Sequence, residues 1–179
     1  MNHRFVVADT HFGHKNIINY ENRPFGSVDE MDQALIERWN QTVRTREDKV
    51  FVLGDFSFHS KDKTKQILSQ LNGRKALIMG NHDRGRSIKW WREVGFLEVY
   101  RYPIIYNDII MSHEPMKPYK SNSYLYLYGH VHGNKQYQTF YKSSICVSIE
   151  RWDYKPVKIN SLLFSNRLRR RRVCHISQY

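Results

Sequence analysis

Two histidines separated by one valine, His130 and His132, follow the apolar run 125–128 and are flanked by glycines in the segment LYLYGHVHG. On an extended backbone, residues i and i+2 point to the same side, so both imidazoles can reach one space. Neutral imidazoles placed together in this way are typical metal ligands. An isolated H-x-H is more often a pair of ordinary loop residues, so the rest of the chain must decide between the two interpretations.

Four other apolar runs of strand length are also followed at once, or after one glycine, by Asp, Asn or His. The residues that follow these runs are Asp9 and His11 after 4–8, Asp55 after 49–53, Asn81, His82 and Asp83 after 76–79, and His113 after 108–112. Ligands of α/β proteins bind outside the carboxyl ends of the strands, which is where all these side chains fall. The pattern therefore predicts one site assembled from five strand ends.

The candidate ligands offer nitrogen and oxygen atoms and no thiolate. They are Asp9, His11, Asp55, Asn81, His113, His130 and His132. Such a set suits Mn²⁺, Fe²⁺, Fe³⁺ or Zn²⁺ better than a structural thiolate site would. Seven ligands are too many for one tetrahedral ion, whereas two ions about 3.5 to 4 Å apart would use them with one bridging carboxylate, an arrangement that serves hydrolysis.

These blocks resemble the motifs of the calcineurin-like metallophosphoesterases, which run D-x-H, G-D, G-N-H-D/E, H and G-H-x-H. The chain has them in this order as 9–11, 54–55, 80–83, His113 and 129–132. The resemblance covers most of residues 4–158. The segments THFGHKNII, NRPF, LNGRK and WDYKPV are similar to those of small microbial and phage-type members in particular.

The resemblance implies an α/β fold, a two-sheet β-sandwich flanked by helices in an αββα arrangement. It also implies two divalent ions, manganese in the first place, with iron, zinc or nickel as alternatives. The first ion would be held by Asp9, His11 and His132, the second by Asn81, His113 and His130, and Asp55 would bridge them.

Phosphate-ester hydrolysis is the activity that the resemblance implies, with a hydroxide shared by the two ions attacking phosphorus. His82 would then protonate the leaving oxygen or stabilise its charge. Asp83 is expected to orient His82, although an aspartate after a loop histidine also caps local turns. Substrate contacts are expected from His14, Arg23 and Arg84, with a surface or salt-bridge role as an equal alternative for each.

The positions of these residues depend on the elements between them. A capping box at 27–30 begins a helix whose apolar residues recur every four positions to Val43. A second helix is predicted over 60–72, ended by Gly73, and a third over SIKWWREV, ended by Gly95. From about Glu98 onward strand follows strand, with TFYKSSICVSI and KINSLLF as the last two, which predicts an antiparallel or mixed second sheet packed on the first.

Length and composition predict one domain over residues 1–165 and a basic tail over 166–179 that we expect to be flexible. The net charge of +12 favours an anionic partner such as a nucleotide or nucleic acid, although five arginines of the tail contribute to it. No apolar run is long enough to cross a membrane, and two distant cysteines form no disulfide framework. We therefore expect a cytoplasmic protein without a membrane partner.

The motifs leave the substrate open between a monoester, a cyclic or linear diester and a nucleic-acid end, because the metal core reads only the phosphate. The G-D block continues as GDFSFH and lacks the further Asp and Arg of protein phosphatases, which argues against a phosphoprotein. Two other functions remain as alternatives: a non-catalytic binding module of this fold, and a nucleic-acid-binding protein that uses the basic tail. A binding module is expected to have lost ligands, and none is missing here.

Overall fold

The computed structural model describes residues 2–117, 124–137 and 143–164 and contains two β-sheets with helices around them. The first sheet has five strands in the order β4-β3-β2-β1-β9. Their bounds are β1 (Arg4–Val7), β2 (Lys49–Val52), β3 (Arg74–Ile78), β4 (Glu98–Tyr100) and β9 (Val157–Lys158). The first four pair in parallel, and β9 pairs antiparallel with β1 at the edge.

Successive residues of β1 enter different cores, because side chains alternate between the two faces of a strand. Phe5 and Val7 pack with the helices, whereas Val6 and Ala8 pack against the second sheet. The strand therefore has apolar residues on both faces, as expected for a parallel sheet that is covered on both sides. The two-sheet α/β architecture predicted from the sequence is confirmed.

Four α-helices have bounds α1 (Lys15–Tyr20), α2 (Val28–Thr42), α3 (Lys61–Gln70) and α4 (Ile88–Val94). The last three lie where the sequence predicts them, and α1 was not predicted. Helix α2 begins at the expected cap, where Ser27 Oγ accepts a hydrogen bond from the Glu30 backbone N–H at 3.1 Å. Glu30 Oε2 in turn accepts from the Gly26 N–H at 2.7 Å, one residue earlier than in a standard capping box.

The second sheet has the order β5-β6-β7-β8 and is mixed, as predicted. Its strands are β5 (Ile104–Tyr106), β6 (Ile109–Met111), β7 (Leu125–Tyr128) and β8 (Ser144–Cys146). Strand β5 pairs antiparallel with β6, and β6, β7 and β8 are parallel. The carboxyl ends of β6 and β7 can therefore contribute residues to the same site as those of the first sheet.

Two predicted strands are corrected. The run VYRYPIIY divides at Pro103 into β4, which completes the first sheet, and β5, which begins the second. The run KINSLLF is a strand only at its start, where β9 joins the first sheet, and residues 159–164 are helical. Ile159 and Leu162 are buried in the core between the sheets, and their spacing of three fits a helix rather than a strand.

The predicted tail, residues 166–179, lies outside the described residues. Within the described ranges, no helix combines the length and the apolar character needed to pass through a membrane.

Candidate active site

The predicted ligands leave their strands in an unusual backbone conformation. Five of them have positive φ angles, a conformation that costs a residue other than glycine roughly 1 to 3 kcal/mol. These are Asp9 (59°), His11 (52°), Asp55 (53°), His130 (71°) and His132 (46°). The turns at the strand ends therefore carry strain at the positions that aim these side chains inward.

Two glycines of the motifs allow the strand ends to approach one another. A Cβ atom at Gly54 would collide with the ring of His113, and one at Gly80 would collide with the carboxylate of Asp55. Gly54 also has a φ of 84°, which glycine adopts without strain. Gly54, which precedes Asp55, and Gly80, which precedes Asn81, are thus needed for the close packing of the loops.

Asp9, His11 and His132 form one group whose ligand atoms lie within 4.8 Å of one another. The side chains of Asp9 and His11 are buried. Within the described part of the chain, His11 Nε2 is buried and makes no hydrogen bond. An unpaired buried nitrogen is costly, so this atom fits a ligand of a bound cation.

His113, His130 and Asn81 converge at a second point. His113 Nε2 lies 2.8 Å from Asn81 Oδ1 and 3.2 Å from His130 Nδ1, and the latter two atoms are 3.1 Å apart. His113 Nδ1 donates to the backbone oxygen of Leu53 at 2.8 Å, which leaves Nε2 as the free lone pair of the neutral ring. Three atoms that can serve as metal ligands thus lie within 3.2 Å of one another.

Asp55 lies between the two groups. Its Oδ2 atom is 3.6 Å from His11 Nε2 and 3.5 Å from His113 Nε2. The other oxygen, Oδ1, accepts the backbone N–H of His82 at 3.0 Å. One carboxylate oxygen therefore faces a nitrogen of each group, which is the position expected of a bridging ligand.

Burial shifts the pKa values of these groups. Burial lowers the pKa of His11 well below its usual range. The pKa of His130 is also lowered, first by burial and then by the charge of the neighbouring His113. Burial also raises the pKa of Asp9 to about 6, against the opposing effect of His132 and His113. The neutral imidazole, which is the form that binds metal, is thus favoured at His11 and His130.

Glu150, which the sequence interpretation missed, contacts a predicted ligand. His132 Nδ1 donates to Glu150 Oε1 at 3.0 Å. Together with Glu21, these two residues form a further group of side chains that could hold a metal ion. Burial alone would lower the pKa of His132, but the hydrogen bond to Glu150 and the charge of Asp9 raise it to about 9. Glu150 directly follows the run TFYKSSICVSI that was predicted as a strand, but the strand ends at Cys146 and Glu150 lies in a 3-10 helix over Ile149–Trp152.

Arg23 has a different role from the predicted phosphate contact. Its guanidinium is buried, with Nη1 donating to Thr10 O at 2.9 Å and Nη2 to Asp9 O at 2.7 Å. Nη2 also donates to Glu150 Oε1 at 2.6 Å. These donors are directed at the protein itself, so Arg23 fixes the D-x-H backbone and Glu150 rather than facing a substrate.

The other two expected substrate contacts are less buried than Arg23. His14 is partly buried, and its Nδ1 lies 3.2 Å from His11 Nδ1, beside the first group. The exposed Arg84 Nη1 lies 3.6 Å from Glu114 Oε1, the salt-bridge alternative for this residue.

His82 stands at the mouth of the site. Its side chain is 48% exposed, and Nε2 lies 3.9 Å from Asp55 Oδ2. The buried Asp83 does not orient this ring. Its carboxylate accepts the backbone N–H groups of Asp55 (2.7 Å), Phe56 (3.1 Å) and Gly80 (2.8 Å), so it joins the G-D and G-N-H-D loops.

Comparison with known proteins agrees with this architecture. The family model for calcineurin-like phosphoesterases matches residues 4–171. The chain is 36% identical over 168 residues to the uncharacterized protein MJ1445 of Methanocaldococcus jannaschii. The alignment covers 89% of this chain and 88% of that protein. The Gene 66 protein of Mycobacterium phage L5 is 35% identical over 86 residues, 46% of this chain and 41% of its own.

A solved structure, that of the protein of unknown function AQ665 from Aquifex aeolicus, superposes with a TM-score of 0.71 at 28% identity. The superposition covers 90% of this chain and 98% of the AQ665 chain. The relatives are archaeal, bacterial and phage proteins, in agreement with the small microbial and phage-type resemblance. The chain belongs to the calcineurin-like phosphoesterases, a family of metal-dependent hydrolases of phosphate esters.

Proposed function

We propose that the protein hydrolyses phosphate esters by means of two divalent metal ions. The observation that carries this proposal is the position of Asp55 Oδ2, 3.6 Å from His11 Nε2 and 3.5 Å from His113 Nε2. Asp55 would bridge the ions. The remaining ligands would be Asp9, His11 and His132 for one ion and Asn81, His113 and His130 for the other.

The donor set of imidazole, carboxylate and amide oxygen suits manganese, with iron, zinc or nickel as alternatives. When bound, such ions lower the pKa of water and neutralise charge on phosphoryl oxygens. Among the described residues, the buried His11 Nε2 has no hydrogen-bond partner and is available to such an ion. The same strand ends exclude bulk solvent from Asp9, Asp55 and His113, which strengthens electrostatic interactions inside the site.

His82 would donate a proton to the leaving oxygen or stabilise its charge. It is exposed enough to reach a substrate, and its backbone N–H is fixed on Asp55 Oδ1. Asp83 is proposed as a positioning residue, because it holds the two loops that carry Asp55 and His82. Mutual fixing of these loops keeps the acid at a constant distance from the phosphate.

Glu150 is proposed as a second positioning residue. By accepting the Nδ1 proton of His132, it leaves Nε2 of that ring for the metal. Arg23 holds the other side of Glu150 Oε1 and the carbonyl of Asp9. Two ligands of the first ion are thus tied to one buried ion pair.

The proposal is tested by assaying aryl phosphate esters, phosphomonoesters, cyclic nucleotides and oligonucleotides with Mn²⁺, Ni²⁺, Zn²⁺ and Mg²⁺. We expect turnover with at least one class, two ions per chain by elemental analysis, and loss of turnover in chelator. The net charge of +12 favours a nucleotide or nucleic acid as the best class. Full activity in excess chelator after exhaustive dialysis would exclude the two-metal mechanism.

A further inference from the structure

Three aromatic side chains form a continuous rim at one side of the candidate site. The ring of His14 stacks on Phe58 with centroids 4.1 Å apart and an interplanar angle of 14°. Tyr20 meets the other end of this pair edge-on, 6.4 Å from His14. Tyr20 and Phe58 are 69% and 37% exposed. We call Tyr20, His14 and Phe58 the aromatic rim.

The aromatic rim adjoins the residues of the proposed reaction. The Phe58 ring lies 5.1 Å from His82 and 5.3 Å from His11, measured between centroids. His14 approaches His11 to 3.2 Å between their Nδ1 atoms. A phosphate held at the two metal ligand groups would therefore have its leaving alcohol, on the side of His82, next to the rim.

The exposed ring of Phe58 is carried by a fixed backbone. Phe58 N donates to Phe12 O at 2.8 Å, and Arg86 donates to the oxygens of both flanking residues, Ser57 at 2.7 Å and His59 at 2.8 Å. The His59 side chain is itself bound to the buried Asp32 at 2.5 Å. A large apolar ring that stays exposed on such a rigid support is suited to contact a ligand.

We propose that the aromatic rim stacks on the nucleobase of the leaving alcohol, so that the substrates are phosphate esters of nucleosides. This inference rests on the proposed function, which supplies the phosphate position and the role of His82. Aromatic side chains bind bases through their π faces whatever the base, whereas a sugar or alkyl alcohol offers no such face. The rim thus selects the chemical class that the metal ligands do not distinguish.

Two substrates that differ only in the base test the proposal. Thymidine 5′-phosphate and 1,2-dideoxyribose 5-phosphate release alcohols with and without a base. With their methyl diesters, only release of thymidine or 1,2-dideoxyribose is counted, and release of methanol is not. On the manganese-loaded full chain we expect kcat/KM to be about tenfold higher with the base, the lower range of base–aromatic stacking. The variants Phe58→Leu and Tyr20→Leu should move this ratio toward one.

Tyr102→Leu is the control, because Tyr102 is as exposed as Tyr20 (74%) and lies outside the rim. It should leave the ratio unchanged. Calorimetry with the same two substrates and the manganese-loaded protein measures their binding separately from their turnover. One outcome would support the rim and contradict the proposed hydrolase activity. In that outcome the wild type binds the compound with a base tenfold more tightly, Phe58→Leu loses this preference, and neither compound is turned over. Equal handling of the two substrates in both measurements, or a preference that survives both substitutions, would overturn the rim.

Discussion

Asp48 and Asp55 are buried aspartates near opposite ends of β2, and their surroundings differ. The Asp48 carboxylate accepts the backbone N–H groups of His3 at 2.8 Å and Thr45 at 3.3 Å, which outweigh burial and lower its pKa. Asp55 Oδ2 faces imidazole nitrogens at 3.5 to 3.6 Å. A carboxylate satisfied by backbone stabilises the fold, whereas one placed among free nitrogens is arranged for a ligand that binds later.

The first prediction tests this contrast with the substitutions Asp55→Asn and Asp48→Asn. Asp55→Asn removes the negative charge between two cations, so bound metal and turnover should fall to the level of the metal-free protein. Stabilisation by added Mn²⁺, seen as a rise in melting temperature, should disappear as well. Asp48→Asn should lower the melting temperature but keep both ions and kcat. Metal loss in Asp48→Asn, or metal retention in Asp55→Asn, would contradict the distinction.

His82→Ala tests whether the acid can be separated from the ligands at the same strand end. Both ions should remain bound, and kcat should fall by roughly 10² to 10⁴, the usual contribution of a general acid. The loss should be smaller for nitrophenyl esters, because nitrophenolate needs little protonation. Elemental analysis and a series of leaving groups provide the readouts. Equal slowing of good and poor leaving groups would reassign His82 to phosphate binding or metal support.

Glu150→Gln tests the support behind a ligand. We expect manganese affinity to fall by roughly 10- to 100-fold, as for other residues that hold a metal-bound histidine, while the fold is retained. Glu98→Gln removes a charge from the amino end of the first sheet and should leave the affinity unchanged. Titration calorimetry measures the affinity of both variants for Mn²⁺. Equal affinities of Glu150→Gln and Glu98→Gln would show that Glu150 does not support the metal site.

The same substitution has a pH signature in the metal-free protein, which should fold because its two apolar cores include none of the candidate ligands. The pKa of His132 is raised to about 9 in the folded state, from an ordinary value near 6.5. Its protonation therefore stabilises the fold below pH 6.5, and this contribution is lost as pH rises through 9. The difference in melting temperature between wild type and Glu150→Gln should shrink over that interval.

The smallest effect is expected at the amino end of the first sheet. Lys49 Nζ binds Glu98 Oε1 at 2.7 Å, and both side chains are partly exposed. Lys49→Gln should cost no more than about 1 kcal/mol in unfolding free energy, as is usual for exposed ion pairs, and should spare kcat. Chemical denaturation measures the unfolding free energy, and the nitrophenyl ester assay measures kcat. A large loss of activity would show that the two sheet edges are coupled.

The convergence of the candidate ligands was predictable because each one follows a strand, and strand ends meet wherever strands pair in parallel. The supporting residues depend on contacts between distant parts of the chain, which local patterns do not encode. Arg23 and Glu150 are 127 residues apart in the sequence and form one ion pair. His59 is bound to Asp32 of α2, 27 residues away in the sequence. Nothing in the neighbouring residues indicates either pairing.

The left-handed backbone at five candidate ligand positions has an evolutionary consequence. Asp, Asn and His are the side chains that tolerate this conformation best, and they are also metal ligands, so one choice of residue meets both demands. Glycine would relieve the strain and abolish the ligand. A copy of this gene that is selected for its fold but no longer for its activity should therefore tolerate glycine at positions such as His11 and His132.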